Sequence, residues 1–353
     1  MKDRNPYFLL LDQLYKKAPV LPVSSRDKFV IISDLHMGDG RSHDDFKRNS
    51  RIFLTALKDY YLPKGYTLIL NGDVEEALKC KISKIVKRWG TVYSLLEKFD
   101  SENRLYKLVG NHDPKILLAG SKPHFKLYDA LRLQVRGGEF FVYHGHQSSF
   151  YYNAFSDLMA FVLRYGANIL HIPNFSVAFN SRKRSHVEKM AYDFAKSKKI
   201  ISIIGHTHRP LFESLSKMDT MKFRMEYYLR TLQETGEENR KEIEDKIRNC
   251  SEKIKAHNTE NKKERTVNTL YSDRIVLPFV FNSGTVIGKR GMTSLEIEEG
   301  KIYLVHWFDK RIKKKYINND KEYHFELPDS GVSRFILKHD TLSYIFSKIQ
   351  LLS

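Results

Sequence analysis

Short runs of apolar residues recur along the chain, and most of them end at a polar motif. The runs are Phe29–Ile32, Leu68–Leu70, Leu108–Val109, Phe140–Tyr143, Ile200–Ile204, Val280–Phe281 and Ile302–Val305. Continuous apolar runs bounded by turn residues are typical of strands that are buried on both faces. Helix-compatible segments lie between several runs, such as Phe46–Leu57 and Ile82–Phe99. The pattern predicts an α/β core of layered β-sheets flanked by helices.

Two intervals between the runs are longer than a crossover helix requires. The first, residues 147–199, carries many aromatic residues and a basic cluster at Arg182–Arg184. We predict that it forms a helical cap over the site, with extra helices that pad the core as the alternative. The second, residues 213–272, is dense in charged residues, and Ile243, Ile247, Cys250 and Ile254 stand at helical spacing. This spacing predicts an inserted charged helical hairpin, which is either a solvated protrusion or a segment that binds a partner or covers a substrate.

Composition narrows the class of protein only slightly. The chain has 353 residues, of which 29% are charged and 41% hydrophobic, as in ordinary globular proteins. Its net charge of +18 favours anionic partners, namely nucleic acid, nucleotides or acidic lipid head groups. The two cysteines, Cys80 and Cys250, are too few for a disulfide framework, which fits a reducing compartment. Neither a signal-peptide core nor an apolar stretch approaching 18 residues is evident, so we expect a cytoplasmic protein.

Five polar motifs follow the apolar runs and carry the candidate chemistry. They are Asp34-Leu35-His36, Gly72-Asp73, Gly110-Asn111-His112-Asp113, His144-Gly145-His146 and Gly205-His206-Thr207-His208. Carboxylates, an amide and imidazoles form a ligand set that suits two neighbouring divalent transition metals. In α/β sheets, ligands bind at the carboxyl ends of strands, where all five motifs fall.

The spacing within the motifs supports shared ligation. Asp34 and His36 are two residues apart, so on an extended strand end they would point the same way and reach one metal. Asp73 offers two oxygens, which allows it to bridge a second metal. A single Asp-x-His pair is usually only an exposed pair, and a lone histidine at a strand end is more often structural. The prediction therefore depends on the coincidence of all five motifs.

The order D-x-H, G-D, G-N-H-D, H, G-H-x-H resembles the calcineurin-like metallophosphoesterases. This resemblance implies an αββα sandwich and a hydrolase that uses two divalent ions, for which Mn²⁺ is expected and Fe, Zn, Ni and Co are alternatives. One metal would be held by Asp34, His36, Asp73 and His208. The other would be held by Asp73, Asn111, His144 and His206. Attack of metal-bound hydroxide would then cleave a phosphate ester or pyrophosphate.

The resemblance also assigns roles to residues that are not ligands. His112 matches the family histidine that stabilises the transition state or protonates the leaving oxygen. Asp113 would hydrogen-bond its imidazole and hold the tautomer. Arg209 would contact substrate phosphate, and His146 is either a neighbour of the substrate or a support for the ligands. The expected divisions are an N-terminal extension (1–27), a metallophosphoesterase domain (28–212 and 273–316) containing the cap and the hairpin, and a C-terminal tail (317–353).

A narrower resemblance concerns the substrate. The strings Gly72–Glu76 and Gly205–Pro210, with a basic and aromatic cap, are similar to the UDP-2,3-diacylglucosamine pyrophosphatase branch, which cleaves a nucleotide-lipid pyrophosphate. That branch has arginine after the ligand asparagine, whereas this chain has His112, as in general phosphatases and phosphodiesterases. A nuclease or nucleotide phosphodiesterase is the alternative. A protein phosphatase is a further possibility, but the cap would restrict the access of a bulky protein substrate. The alternative of another class is a non-enzymatic scaffold.

The C-terminal segment offers a further hypothesis. Leu342, Ile345, Ile349 and Leu352 form one face of a short amphipathic helix, with Lys348 beside them and basic charge upstream at 310–315. One interpretation is a helix docked on the core. The other is reversible, peripheral binding to an anionic membrane beside a lipid-linked substrate.

Overall fold

The computed structural model describes residues 6–42, 44–118, 124–148, 181–214, 221, 225, 228–229, 231–233, 237–260, 277–311 and 324–353. Within these residues the chain folds around two β-sheets. The larger sheet has eight strands in the order β12-β13-β11-β10-β2-β3-β4-β5. Its parallel half consists of β2 (Phe29–Ile32), β3 (Thr67–Asn71), β4 (Leu105–Leu108) and β5 (Leu127–Tyr128). Its antiparallel half consists of β10 (Met292–Glu298), β11 (Lys301–Asp309), β12 (His324–Glu326) and β13 (Val332–Thr341).

The second sheet has five strands in the order β1-β6-β7-β8-β9. They are β1 (Val20–Pro22), β6 (Ala130–Val135), β7 (Gly138–Tyr143), β8 (Ile201–Ile204) and β9 (Val280–Asn282). Strands β7, β8 and β9 are parallel neighbours, whereas β6 runs antiparallel to β7. Parallel strands place their carboxyl ends at one edge, so the ends of β7 and β8 lie side by side.

Eight α-helices have both of their ends within the described residues. They are α1 (Pro6–Lys17), α2 (Ser50–Ala56), α3 (Ile82–Arg88), α4 (Gly90–Ser101), α5 (Lys115–Leu118), α6 (Ser181–Lys198), α7 (Glu237–Glu260) and α8 (Leu342–Leu352). Helix α2 continues into one π-helical turn at Leu57–Tyr61, and short 3-10 turns occur at Asp45–Arg48 and His146–Ser148.

Alternation along β2 shows how the layers are built. Phe29 and Ile31 belong to a core cluster shared with the five-stranded sheet, with β10 and β11, and with helices α1, α6 and α8. Val30 and Ile32 belong to a second cluster with helices α2, α3 and α4. Successive strand residues point to opposite faces, so a strand that is apolar throughout is buried on both. The predicted fold class, layered sheets flanked by helices, is confirmed.

The predicted elements and the observed ones agree closely in position. Each of the seven apolar runs overlaps a strand of the structure. The segment Ile82–Phe99 is helical but is divided at Trp89, where α3 ends and α4 begins. The indole of Trp89 donates to the carbonyl of Gly38 at 2.9 Å, so this break fixes the loop that follows the first motif.

The predicted cap and hairpin are described only in part. Residues 149–180 of the cap, and residues 261–272 and most of 215–236 of the hairpin, lie outside the described residues. The end of the cap segment is α6, which packs against β8 and β9. The predicted helical spacing in the hairpin falls within α7, where Cys250 is buried. The role of the cap and the domain boundaries remain predictions.

The C-terminal residues join the eight-stranded sheet through β12 and β13, and α8 follows directly. Leu342, Ile345, Phe346 and Ile349 of α8 are buried, and the rings of Phe346 and Phe140 lie 5.6 Å apart. The apolar face is therefore docked on the core, while Leu352 stays 53% exposed. In the described part of the chain, every helix is too short or too polar to cross a bilayer.

Candidate metal centre

The five predicted motifs follow five strand ends in the two sheets. Those of Asp34, Asp73 and Asn111 follow the parallel neighbours β2, β3 and β4 of the larger sheet. Those of His144 and His206 follow the neighbours β7 and β8 of the smaller sheet. The two edges meet, because the backbone N–H of His206 donates to Oδ2 of Asp34 at 3.0 Å.

One group of potential ligands consists of Asp34, His36 and His208. Oδ1 of Asp34 lies 3.0 Å from Nε2 of His208, and Nε2 of His36 lies 3.1 Å from the same nitrogen. Nε2 of His36 is 3.8 Å from Oδ1 of Asp34. An oxygen and two imidazole nitrogens at these separations can hold one divalent ion.

A second group, Asp73, His144 and His206, is buried completely or nearly so. Oδ2 of Asp73 lies 3.2 Å from Nε2 of His144 and 3.7 Å from Nε2 of His36. Asp73 thus stands between the two groups, which is the position that a bridging carboxylate requires. The structure brings together six of the seven predicted ligands in these two groups.

Asn111, the seventh predicted ligand, is held beside Asp73. The backbone N–H of the next residue, His112, donates to Oδ1 of Asp73 at 2.9 Å. The side-chain oxygen of Asn111 is buried and accepts no hydrogen bond. It is therefore available as a neutral oxygen ligand.

Unsatisfied polar atoms test whether metal ions fit this site. Oδ1 of Asn111 and both ring nitrogens of His206 are buried without a hydrogen-bond partner, and Oδ1 of Asp34 and Nε2 of His144 face other proposed ligands, His208 at 3.0 Å and Asp73 at 3.2 Å. An unpaired buried polar atom costs about 1–3 kcal/mol, so native proteins rarely retain several in one place. Here these atoms are oxygen and imidazole donors, which a pair of divalent transition metals would satisfy. The residues fit the metals that the motifs predict.

The backbone of the ligands differs from the predicted one. Strand β2 ends at Ile32, and Asp34 and His36 have φ of 56° and 48° instead of an extended conformation. Asp73, His206 and His208 also have positive φ, at 52°, 61° and 54°. The expectation that an extended strand end directs Asp34 and His36 is therefore wrong. Left-handed turns direct them, and such strain is maintained at sites where surrounding contacts over-determine the backbone.

Two glycines of the motifs serve close packing between the sheets. A Cβ on Gly72, whose φ is 80°, would lie 2.6 Å from the ring of His144. A Cβ on Gly205 would lie 2.8 Å from Oδ2 of Asp34. Any larger residue would push the two ligand edges apart, which explains why the motifs contain glycine at these positions.

Glu76 is a candidate site residue to which the sequence interpretation gave no role. Its Oε1 lies 2.7 Å from Nδ1 of His112, and its Oε2 lies 3.3 Å from Nδ1 of His36. Burial acts to lower the pKa of His112, but the charges of Asp73 and Glu76 outweigh it and raise that pKa to about 9. The residue was visible in the string Gly72–Glu76, but nothing local indicated that a side chain 36 positions before His112 would reach it.

Asp113 has a different role from the predicted one. Its carboxylate accepts from the backbone N–H groups of Gly110 at 2.5 Å, Asp73 at 3.1 Å and Val74 at 2.6 Å. It therefore ties the loop after β4 to the loop after β3. The expected hydrogen bond from the imidazole of His112 to Asp113 is wrong, because Oε1 of Glu76 lies beside Nδ1 of His112.

A buried ion pair stabilises the loop after β3. Nζ of Lys107 lies 2.5 Å from Oε1 of Glu75, and the hydroxyl of Tyr93 donates to that oxygen at 2.8 Å. Lys107 points from β4 and Glu75 precedes Glu76 in the loop after β3, so the pair fixes one loop against the neighbouring strand.

The two predicted substrate contacts lie next to ligands. His146 is buried, with its ring centroid 5.3 Å from that of His144. Arg209 follows the ligand His208, and its Nε donates to Oε1 of Glu188 at 3.1 Å. A contact of either residue with substrate stays a prediction.

Comparison with known proteins agrees with this site. The family model of the calcineurin-like phosphoesterases matches residues 27–210, just over half of the chain. The match contains all seven predicted ligands. The chain belongs to the calcineurin-like phosphoesterase family and is a metal-dependent phosphoesterase.

Three solved structures are similar at a low level. The first is a predicted phosphoesterase from Streptococcus pneumoniae TIGR4, with 12% identity over 80% of this chain and 91% of that chain and a TM-score of 0.30. The second is the phosphoesterase Yfce from E. coli, with 11% identity over 89% of this chain and 99% of that chain and a TM-score of 0.35. The third is Vacuolar Protein Sorting 29 from Cryptosporidium parvum, with 10% identity over 90% of this chain and 100% of that chain and a TM-score of 0.36. At these TM-scores the likeness adds no weight to the family assignment. A search of the curated proteins gave no match.

Proposed function

We propose that the chain hydrolyses a phosphate ester or pyrophosphate at a two-metal centre. The first ion would be held by Asp34, His36, Asp73 and His208, and the second by Asp73, Asn111, His144 and His206. The observation that supports this most strongly is the position of Asp73 between the two ligand groups, with Oδ2 3.2 Å from Nε2 of His144 and 3.7 Å from Nε2 of His36.

The donor set limits the choice of metal. When bound, two divalent ions supply Lewis acidity, orient the phosphoryl group and lower the pKa of water. Carboxylate and amide oxygens with imidazoles, and no thiolate among the proposed ligands, suit Mn²⁺, Fe, Zn, Ni or Co. We propose Mn²⁺ as the working metal, because hard oxygen ligands make up three of the seven positions.

His112 and Glu76 would handle the leaving group. The side chain of His112 is 20% exposed, so it can reach a bound substrate, whereas that of Glu76 is only 6% exposed. Glu76 holds Nδ1 of the imidazole, which leaves Nε2 to donate a proton to the departing oxygen. Because Glu76 also contacts His36, it orients the proton donor relative to the first metal.

The experiment that tests the proposal counts metal and turnover together. Protein reconstituted with Mn²⁺ and desalted should hold two ions per chain and hydrolyse bis-p-nitrophenyl phosphate or p-nitrophenyl phosphate. His208→Ala should lose metal and turnover. His186→Ala, which changes an exposed histidine of α6, is the matched control and should retain both. Wild-type protein that binds no transition metal would overturn the proposal.

For the substrate we propose a phosphorylated small molecule or a nucleotide-linked compound, with a nucleotide-lipid pyrophosphate as the first class to test. The Gly72–Glu76 and Gly205–Pro210 strings support that class, whereas His112 in place of arginine speaks for a general phosphodiesterase. The net charge of +18 supports nucleic acid as the second candidate. Turnover of a UDP-sugar lipid, single-stranded DNA and the two nitrophenyl esters under one metal condition separates these classes.

We also propose that the enzyme works in the cytoplasm. Cys80 and Cys250 are both buried and neither forms a disulfide bond, which suits a reducing compartment. Peripheral contact with a membrane would have to use a surface other than the docked face of α8. Fractionation of cells that express the tagged full chain tests both points.

A further inference from the structure

A glutamate on α6 faces the loop that carries two of the proposed ligands. Glu188 is fully buried, and its Oε1 accepts from the hydroxyl of Thr207 at 2.9 Å and from Nε of Arg209 at 3.1 Å. Its Oε2 pairs with Nη2 of Arg209. A buried carboxylate is tolerated only with such partners, and both of these come from the loop of residues 205–209.

The position of Thr207 makes this contact informative. Thr207 lies between His206 and His208, whose backbones both have positive φ. Its hydroxyl donates to Glu188 and accepts from Nδ2 of Asn282 at 2.9 Å, and the same amide group donates to the carbonyl of Gly205 at 3.0 Å. One hydroxyl is thus fixed by α6 on one side and by β9 on the other. The strained turn that directs the two histidines is clamped at its centre.

Arg209 adds a second connection. Its guanidinium forms a two-point contact with one carboxylate, a geometry that restrains both partners more strongly than a single hydrogen bond. Arg209 directly follows His208, whose Nε2 lies 3.0 Å from Oδ1 of Asp34. Glu188 therefore holds the residues on both sides of His208 through hydrogen bonds to Thr207 and Arg209.

We propose that Glu188 is a positioning residue for the ligands His206 and His208, acting through Thr207 and Arg209. This inference rests on the proposed two-metal function and deepens it. Glu188 belongs to the end of the segment 147–199, so the same contact ties the inserted segment to the ligand loop. It also gives Arg209 a structural partner within the protein.

The test is metal affinity, measured by competition with a chelator on full-length protein. Residues that orient metal ligands typically contribute about 10–100-fold in affinity, so Glu188→Ala should weaken Mn²⁺ binding by about that factor. Glu188→Gln keeps one acceptor for Thr207 and loses the charge that pairs with Arg209, so it should fall between Ala and wild type. Thr207→Val, which removes one hydroxyl at similar volume, should weaken binding as well.

Stability in the absence of metal provides the control readout. Asp193→Asn, on the same helix but paired with the exposed Lys189, should leave metal affinity unchanged. A lower melting temperature of Glu188→Ala in chelator, with wild-type affinity of its folded fraction, would mean that Glu188 only packs the helix and would overturn the inference. If Glu188→Ala does not fold, Glu188→Gln and Thr207→Val decide in the same way. Wild-type protein without metal affinity would instead contradict the proposed function, and the inference with it.

Discussion

Two regions of the molecule bury charged side chains, and they differ in whether the buried polar atoms have partners within the protein. In the larger sheet, Glu296 of β10 and Arg334 of β13 form a two-point ion pair, with Nε to Oε1 at 3.1 Å and Nη2 to Oε2 at 2.5 Å. The hydroxyl of Tyr61 donates to Oε1 at 2.7 Å and itself accepts from the indole N–H of Trp307 at 2.7 Å. The fully buried polar side-chain atoms of these four residues all have a partner. The metal centre, by contrast, retains several buried oxygen and nitrogen atoms without one.

The difference distinguishes a structural cluster from a ligand site. Buried charges cost free energy unless they are paired, and the Glu296–Arg334 cluster meets this need within the protein. At the metal centre several buried polar atoms lack a partner and several ligands have a strained backbone. Both features lower the stability of the fold, so selection for stability alone does not explain them. Substitutions in the two regions should therefore affect different quantities, stability in one and metal binding with catalysis in the other.

The largest effect is expected for Asp73→Asn. It removes the charge between the two ligand groups, so metal content should fall below one ion per chain and turnover to background. The melting temperature in chelator should change little, because the substitution keeps the shape of the side chain. Mass spectrometry of the bound metal and a p-nitrophenyl ester assay measure the two quantities. Two ions retained by Asp73→Asn would contradict the bridging role.

His112→Ala should lower turnover by about 10²–10⁴-fold, the usual contribution of general acid catalysis. Metal content should stay close to that of wild type, since His112 is not a proposed ligand. The same assay and metal analysis apply. Unchanged turnover would remove His112 from the mechanism, and loss of metal would make it a ligand.

Arg334→Ala should lower stability and leave metal binding unchanged, which is the opposite of the effect of Asp73→Asn. Removal of one partner leaves Glu296 buried and uncompensated, which destabilises a protein by about 3–5 kcal/mol. Metal content and turnover per folded molecule should stay at wild-type values. Chemical denaturation in chelator measures the free energy of unfolding. The double variant Glu296→Leu with Arg334→Met should recover most of the lost stability. Full stability of Arg334→Ala would remove the contrast between the two regions.

Glu76→Gln should give the smallest effect, a loss of about 10–100-fold in activity. The amide keeps the size of the side chain but weakens its hold on the imidazoles of His112 and His36. Asp113→Asn is the informative comparison, since it should act through the loop backbone and reduce stability as well as turnover. Turnover equal to wild type in Glu76→Gln would remove Glu76 from the mechanism.

Much of the site could be predicted because its information is local. An apolar run followed by Asp34, Asp73, Asn111, His144 or His206 specifies a strand and the side chain at its end within a few residues. The strands of the apolar runs and the fold class followed from the same signal. Parallel strands then bring their ends to a common edge, so the order of motifs indicated a site before any distance was known.

The three-dimensional structure decided the partners of these residues, because they lie far apart in the chain. Nε2 of His36 meets Nε2 of His208 across 172 positions, and His112 meets Glu76 across 36 positions instead of its neighbour Asp113. The left-handed turns at Asp34 and His36 were equally hidden, since neither residue type requires a positive φ. Strand β13 pairs with β11 because the rest of the fold leaves that sheet edge free. Helix α8 docks where the rest of the fold leaves an apolar surface. A sequence determines where reactive side chains leave their strands, whereas their partners, orientation and strain are properties of the packed sheets.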